Sequence, residues 1–256
     1  MPPATIEGQD SGTEKRIEAQ EQLRAAVDEI TAAAASRGAF YRIMASLYFK
    51  ELSDEQIANL KTLENLDLAE YDSLFAEGLN DMMRSVRKAD SATRDDLACD
   101  YARAILGAGT FQQRRATPFE SVFTSQTGLL MQEARDDVYR LFLQEHLEAD
   151  ASLRIPEDHL SFICEFMAIL CDRFSMALGI AEYTEARRLL GVQQELLSSH
   201  LLNWIDDYCD VLKHVAKTRF YRGVSKITRS FVYQDEQFLA DIIAGTEEII
   251  RLSDAV

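Results

Sequence analysis

A carboxylate and an imidazole stand side by side in the sequence, directly after a proline and before a long apolar helical pattern. The run is Pro156-Glu157-Asp158-His159. An Asp-His pair can do acid–base chemistry when a nucleophile lies beside it. It can also bind a cationic segment of a partner from a rigid helix start. A third interpretation is that acidic side chains in a first helical turn stabilise the helix dipole.

Motifs of the common catalytic classes are absent from the chain. It has no Gly-x-Ser-x-Gly, no Gly-x-x-x-x-Gly-Lys-Ser/Thr and no Gly-x-Gly-x-x-Gly, which are typical of serine hydrolases and nucleotide-binding enzymes. A ferritin-like di-iron site needs Glu three residues before His on two helices. The residues at that distance from the four histidines are Leu143, Pro156, Leu197 and Val211. The sequence therefore predicts no catalytic residue, no metal and no cofactor.

Other conspicuous side chains have simpler interpretations. The four cysteines form no Cys-x-x-Cys pair, and Cys164 and Cys171 fit a buried apolar stripe of one helix. Trp204 is predicted to be a core aromatic residue. The pair Arg114-Arg115 is interpreted as solvated in a loop, or alternatively as a contact to an acidic partner.

The charge of the chain favours cationic partners. Among 256 residues, 27 Lys and Arg stand against 43 Asp and Glu, which gives a net charge of −16. Nucleic-acid binding is disfavoured because that affinity depends largely on basic side chains. The longest stretch without a charged residue, 121–132, is too short and too polar to cross a membrane. The first ten residues carry no export signal, so a cytoplasmic protein without membrane insertion is predicted.

Helical patterns extend over nearly the whole chain, which has only 11 glycines and four prolines. We predict a helix at 14–36 that ends near Gly38, then two helices joined by a turn, the second with a capping box at Ser53. Further helices are predicted at 69–88, 93–107, 126–146, 157–180, 184–213, 215–232 and 235–252. Irregular stretches are predicted at 107–125 and 148–156, with Pro156 as the first residue of the next helix.

These elements predict an all-α fold, a single compact domain of about nine or ten helices with no sheet. Residues 1–37 are predicted to be an N-terminal extension that is partly helical, and 38–256 the all-helical domain.

Three segments, in this order, are similar to those of a known family. Residues 100–107 (Asp-Tyr-Ala-Arg-Ala-Ile-Leu-Gly) resemble its acidic-aromatic-x-x-Leu-Phe-x-Gly run, and 118–123 (Pro-Phe-Glu-Ser-Val-Phe) its Pro-aromatic-Glu-Ser-Val-aromatic segment. Residues 156–160 (Pro-Glu-Asp-His-Leu) resemble its Pro-x-Asp-His signature. The family is that of the cytoplasmic maturation chaperones for molybdenum-containing redox enzymes, of TorD, DmsD and NarJ type. The resemblance covers roughly residues 38–245.

The resemblance implies an all-helical, non-catalytic chaperone. Its partners would be the twin-arginine signal peptide and the apo form of a molybdopterin oxidoreductase subunit, whose export waits until the cofactor is inserted. By position, the peptide-binding residues would be Tyr101, Ala104, Ile105, Glu120, Phe123, Pro156, Asp158 and His159. The family usually has Leu-Phe where this chain has Ala104-Ile105, which changes the wall of the groove. A monomer and a domain-swapped dimer both fit the resemblance.

The physical properties of such a peptide agree with this implication. A basic region followed by an apolar region needs a receptor with an acidic rim beside a hydrophobic groove. Two alternatives stay open at this point: a small hydrolase that uses Asp158 and His159, and a structural helical adaptor. The sequence identifies neither the client enzyme nor a guanine nucleotide site.

Overall fold

Helices form where the apolar residues recur at a period of 3.6. The computed structural model describes residues 10–65, 71–87 and 90–255. Within these ranges there are ten α-helices and no strand, so the predicted all-α fold is confirmed. Two short 3₁₀ helices, Lys61–Asn65 and Ala151–Leu153, lie between them. The α-helices are α1 (Asp10–Phe49), α2 (Asp54–Leu60), α3 (Ser73–Val86), α4 (Ser91–Ala104), α5 (Glu120–Thr124), α6 (Glu133–Gln144), α7 (Leu160–Gly179), α8 (Tyr183–His200), α9 (Ile205–Val215) and α10 (Arg219–Asp254).

Helix α7 lies at the centre of a single domain. Its apolar side chains point in nearly every direction, and both Phe166 and Phe174 are enclosed, as expected for a helix that is buried all round. Helices α1 and α8 pack along α7, and the long α10 packs on α1, α3 and α9. Cys164 and Cys171 are buried in α7 as predicted. None of the described helices is long and apolar enough to cross a membrane.

The first helix does not end near Gly38, contrary to the prediction. It continues to Phe49, and Gly38 lies where α1 crosses α7, since a Cβ added there would be 3.1 Å from that of Cys171. The glycine therefore permits close helix packing. The division of the chain at residue 37 stays a prediction, and α1 runs through that point without a break. Residues 1–9 of the predicted extension lie outside the described ranges.

Two further helix boundaries differ from the predictions. The predicted helices 215–232 and 235–252 are one helix, α10. Conversely, the predicted helix 184–213 is interrupted after His200, where Leu201 and Trp204 turn into the core. The indole N–H of Trp204 donates to the His200 carbonyl at 2.7 Å. Burial of these two side chains outweighs the helical periodicity.

One ion pair lies inside the helix bundle. Arg37 on α1 donates to both carboxylate oxygens of Asp235 on α10 and to the side chain of Gln193 on α8. The Tyr41 hydroxyl donates to Asp235 at 2.6 Å. Burial, the largest single influence, lowers the pKa of the Arg37 guanidinium, but Asp235, Cys171 and Tyr41 together outweigh it and raise the pKa. The network fixes α1, α8 and α10 relative to one another.

Helix α7 begins four residues after Pro156, its predicted first residue. His159 is the N-cap, and its Nδ1 accepts from the Ser161 backbone N–H at 3.2 Å. The imidazole is 6% exposed, and burial lowers its pKa to about 4. The folded chain therefore holds this histidine neutral.

Removal of one member of the buried ion pair should destabilise the fold strongly. Arg37→Met leaves the Asp235 carboxylate in the core without its counter-ion, so we expect the free energy of unfolding to fall by about 3–5 kcal/mol. Urea denaturation followed by circular dichroism measures this. Arg37→Met/Asp235→Leu should recover most of the loss, because neither charge is then left alone. Equal losses in the single and double variants would contradict this account.

The neutral His159 should make stability depend on pH. An unfolded histidine takes up its proton near the ordinary pKa of 6.5, whereas the folded one does so near 4. The free energy of unfolding is therefore highest above pH 6.5. It falls by about 3 kcal/mol in all as the pH decreases from 6.5 to 4. His159→Asn keeps an N-cap acceptor without the titration. Denaturation at pH 7 and pH 4 should show a smaller pH effect in this variant than in the wild type.

Candidate functional site

The second and third motif segments lie side by side in the structure. The Leu160 N–H donates to the Pro118 carbonyl at 2.8 Å, and the Glu120 N–H donates to the Asp158 carbonyl at 3.1 Å. Phe119 and His159 thus form an isolated antiparallel bridge. These bonds fix the start of α5 against the start of α7.

The Asp158 side chain completes this junction. Its Oδ2 accepts from the Ser121 backbone N–H at 2.9 Å and from the Ser121 hydroxyl. Helix α5 has no capping side chain at its own N-cap, so Asp158 supplies the cap from another segment. The carboxyl group is fully buried, which raises its pKa. Asp158 and His159 each bond to a serine, an arrangement that does not assemble an acid–base pair.

The first motif segment also links parts of the chain that are distant in sequence. The Asp100 carboxylate on α4 accepts from the backbone N–H groups of Lys217 and Thr218 at 2.9 and 2.7 Å and so holds the segment that leads into α10. The Tyr101 hydroxyl donates to the Tyr48 carbonyl at 3.0 Å. Both residues therefore stabilise the contacts of α4.

The motif glycine, Gly107, makes room for the loop that follows α4. Its φ is +76°, and an added Cβ would lie 2.7 Å from Cγ2 of Thr117. The left-handed conformation and the close approach both require glycine. The loop therefore returns across the end of α4 towards α5.

The structure separates the eight predicted site residues into two groups. Five side chains are buried in the protein: Tyr101, Ala104, Ile105, Asp158 and His159. The other three, Glu120, Phe123 and Pro156, border cavities. Peptide binding by these residues stays a prediction. For the five buried side chains, any effect on binding must act through the position of other residues.

Glu120 lies at an acidic cavity of about 740 Å³ between α5, α6 and α8. Its carboxylate is 2% exposed; it accepts from the Asn203 amide at 2.9 Å and lies 3.0 Å from Nδ1 of His200. The carboxylates that line this cavity are those of Glu120, Glu133, Asp137 and Glu195. Arg140, the one lysine or arginine among the described lining residues, pairs with Asp137. The cavity therefore suits a guanidinium or ammonium group.

An apolar groove of about 1010 Å³ adjoins the acidic cavity, and the two share Ser125 and Gln126. The Phe123 ring in this groove packs on Trp204 at 5.6 Å and on Tyr208 at 5.5 Å. Leu129 is 60% exposed, and exposed apolar surface of this kind is typical of binding sites. The groove is lined by the apolar side chains of Val122, Phe123, Leu129 and Leu130, by Arg114 and Arg115, and by the polar side chains of Gln113, Thr117, Ser125, Gln126 and Thr127. It is called the apolar groove because of its exposed leucines.

Much of this surface does not follow from the sequence. The predicted helix 126–146 begins only at Glu133, so that 126–132 lie outside α6. Gly128 and the consecutive apolar residues Leu129 and Leu130, which lack helical spacing, were the available signal. Glu195 carries no such signal, because an exposed glutamate on an amphipathic helix is ordinary. Among the described residues, no cluster of His, Cys, Asp and Glu could hold a metal.

The comparison with known proteins identifies the family. The family described as "Nitrate reductase delta subunit" matches residues 65–210, more than half of the chain and including all three motif segments. A relative named "Chaperone protein TorD" from Vibrio cholerae serotype O1 (strain ATCC 39541 / Classical Ogawa 395 / O395) is 27% identical over an alignment of 216 residues that covers 82% of this chain and 94% of the relative.

Two other relatives carry the same name. "Chaperone protein TorD" of Psychrobacter sp. (strain PRwf-1) is 24% identical over 82% of this chain and 95% of its own length. The protein of this name from Escherichia coli O81 (strain ED1a) is 24% identical over 77% of this chain and 93% of its own length. The matches confirm the resemblance on which the family was predicted, and they favour a chaperone over the hydrolase alternative. The chain belongs to the nitrate reductase delta subunit family, in which the TorD-type maturation chaperones are non-enzymatic proteins.

Proposed function

We propose that this chain binds the twin-arginine signal peptide of a molybdopterin oxidoreductase subunit in the cytoplasm, and delays export of the apo form until its cofactor is inserted. Family membership supports a role in molybdoenzyme maturation. The observation that carries the proposal is the acidic cavity that opens directly beside the apolar groove at α5. A peptide with a basic region followed by an apolar region matches both surfaces in order.

The acidic cavity would hold the basic region. Glu133 and Glu195 are exposed on its rim, and neither forms an ion pair within the described parts of the chain. Their carboxylates can each accept two parallel N–H bonds from an arginine side chain. Because they are exposed, each contact would contribute only about 0–1 kcal/mol. The charges therefore select basic peptides rather than supply most of the affinity.

The apolar groove would hold the region that follows. Burial of one leucine side chain against Phe123, Leu129 and Leu130 contributes about 1.5–3 kcal/mol. Two or three such contacts exceed the contribution of the rim charges. Affinity should thus depend chiefly on the apolar part of the peptide.

The buried motif residues contribute by holding α5 in place. This helix separates the two surfaces and carries Glu120 on one and Phe123 on the other. Asp158 caps the helix through Ser121. We therefore assign Asp158 a positioning role, in place of the direct peptide contact implied by the family resemblance.

Removal of the two rim carboxylates should weaken binding of a twin-arginine peptide. We expect Glu133→Gln/Glu195→Gln to raise the Kd about threefold to tenfold, since two exposed ion pairs are lost. Fluorescence anisotropy with a labelled signal peptide measures the Kd. A peptide with Gln in place of both arginines should bind the wild type and the variant equally.

The matched control is Glu18→Gln/Glu29→Gln on α1, which changes the net charge equally at exposed residues far along the chain from α5. It should leave the Kd unchanged. If both double variants weaken binding alike, the overall charge is responsible and the acidic cavity is not the site. If no twin-arginine peptide from the same genome binds the wild type, the proposed function is wrong.

Substitution of Asp158 distinguishes positioning from direct contact. Asp158→Ala leaves the N–H and hydroxyl of Ser121 buried without an acceptor, so we expect a loss of about 2–4 kcal/mol in unfolding free energy and weaker peptide binding. Asp158→Asn keeps an oxygen acceptor and should retain most of the stability and most of the peptide affinity. The measurements are urea denaturation and anisotropy. Equal loss of binding in the two variants, with Asp158→Asn fully folded, would instead show that the peptide needs the carboxylate charge.

A further inference from the structure

Charge is segregated between the two surfaces beside α5. Arg114 and Arg115 line the apolar groove and not the acidic cavity, and no carboxylate is found among the described residues that line the groove. In a chain of net charge −16, an arginine pair on exposed apolar surface needs an explanation. The sequence left open a contact of this pair to an acidic partner.

A tight turn holds the two arginines in position. Phe111 and Arg114 exchange backbone hydrogen bonds of 2.8 and 2.9 Å across it, and Gln112 and Gln113 between them have φ of +49° and +65°. Positive φ at both central residues is typical of a type I′ turn. The Phe111 ring stacks on His214 with 4.1 Å between ring centroids. The backbone that carries the arginines is therefore fixed on α9.

The positive charge of the pair is only partly compensated. The Arg114 guanidinium lies 4.9 Å above the Phe123 ring and 3.2 Å from the exposed Asp207. The Arg115 stem lies beside Gly107, where an added Cβ would be 3.3 Å from its Cδ. Arg115 is exposed and pairs with none of the carboxylates that the structure describes. At least one guanidinium is thus available to a ligand in the groove.

We propose that Arg114 and Arg115 bind an acidic residue that follows the apolar region of the bound peptide, an inference that rests on the proposed function. A peptide whose arginines occupy the acidic cavity passes Ser125 and Gln126 and places its apolar region in the groove. The residues after that region then reach the arginine pair. An aspartate or glutamate there forms charge-assisted hydrogen bonds, whereas a lysine is repelled.

The same segregation of charge determines the direction of the peptide. In the reverse direction, the twin arginines would lie against Arg114 and Arg115, and the acidic residue would face Glu133 and Glu195. Both placements bring like charges together, and this suppresses the wrong orientation. The chaperone therefore prefers those twin-arginine peptides that carry a negative charge beyond the apolar region.

Three labelled peptides test the inference with the full chain. They share the twin arginines and the apolar region and differ only in the next residue, which is Gln, Glu or Lys. We expect the Glu peptide to bind about threefold to tenfold more tightly than the Gln peptide, and the Lys peptide more weakly by a similar factor. In Arg114→Gln/Arg115→Gln, the affinities for all three peptides should agree within about twofold. Anisotropy at low salt gives the affinities.

Arg16→Gln/Arg24→Gln on α1 is the charge-matched control and should keep the full spread among the peptides. Arg115→Gln alone leaves the Arg114 contact with Phe123 intact and should reduce the difference in affinity among the peptides. This single variant keeps the test valid if the double variant disturbs the turn. If the Gln peptide binds but the wild type shows no spread, or the spread survives in both arginine variants, the inference is wrong and the proposed function stands. If the Gln peptide does not bind the wild type, both are wrong.

Discussion

The pairing of residues 118–121 with 156–160 is the constraint on which the surface of this protein depends. Helix α5 has only five residues, far too few for a stable isolated helix. It forms because backbone bonds to the segment before α7 and the Asp158 carboxyl fix its first turn. The acidic cavity lies on one side of α5 and the apolar groove on the other. Both surfaces exist only while this junction holds.

The family signature and the candidate binding surface are therefore largely different sets of residues. Asp100 holds the segment before α10, Asp158 caps α5, and Gly107 admits the returning loop. These residues join segments that are far apart in sequence. The other residues that line the acidic cavity and the apolar groove lie mostly on α6, α8 and the loops. Substitutions at exposed positions among these residues can therefore change the surface without disturbing the architecture.

The fold class followed from the sequence because apolar periodicity and scarce glycine and proline are local signals, and the central helix α7 was evident from them. The continuation of α1 past Gly38 could not be predicted, because this glycine allows a contact with a helix that is distant in sequence. The pairing of two motif segments was implied by no local pattern either. Of the candidate site, Glu120 and Phe123 came from the resemblance, whereas Glu133 and Glu195 could not be predicted. They meet only through tertiary packing.

The turn between α8 and α9 supports both the acidic cavity and the apolar groove. Asn203 donates to Glu120 on the cavity side, and its neighbour Trp204 packs on Phe123 on the groove side. Asn203 and Trp204 are consecutive residues, so the backbone that places the amide beside Glu120 also places the indole against Phe123. One short turn thus shapes both surfaces, so that a change in its conformation would alter the acidic cavity and the apolar groove together.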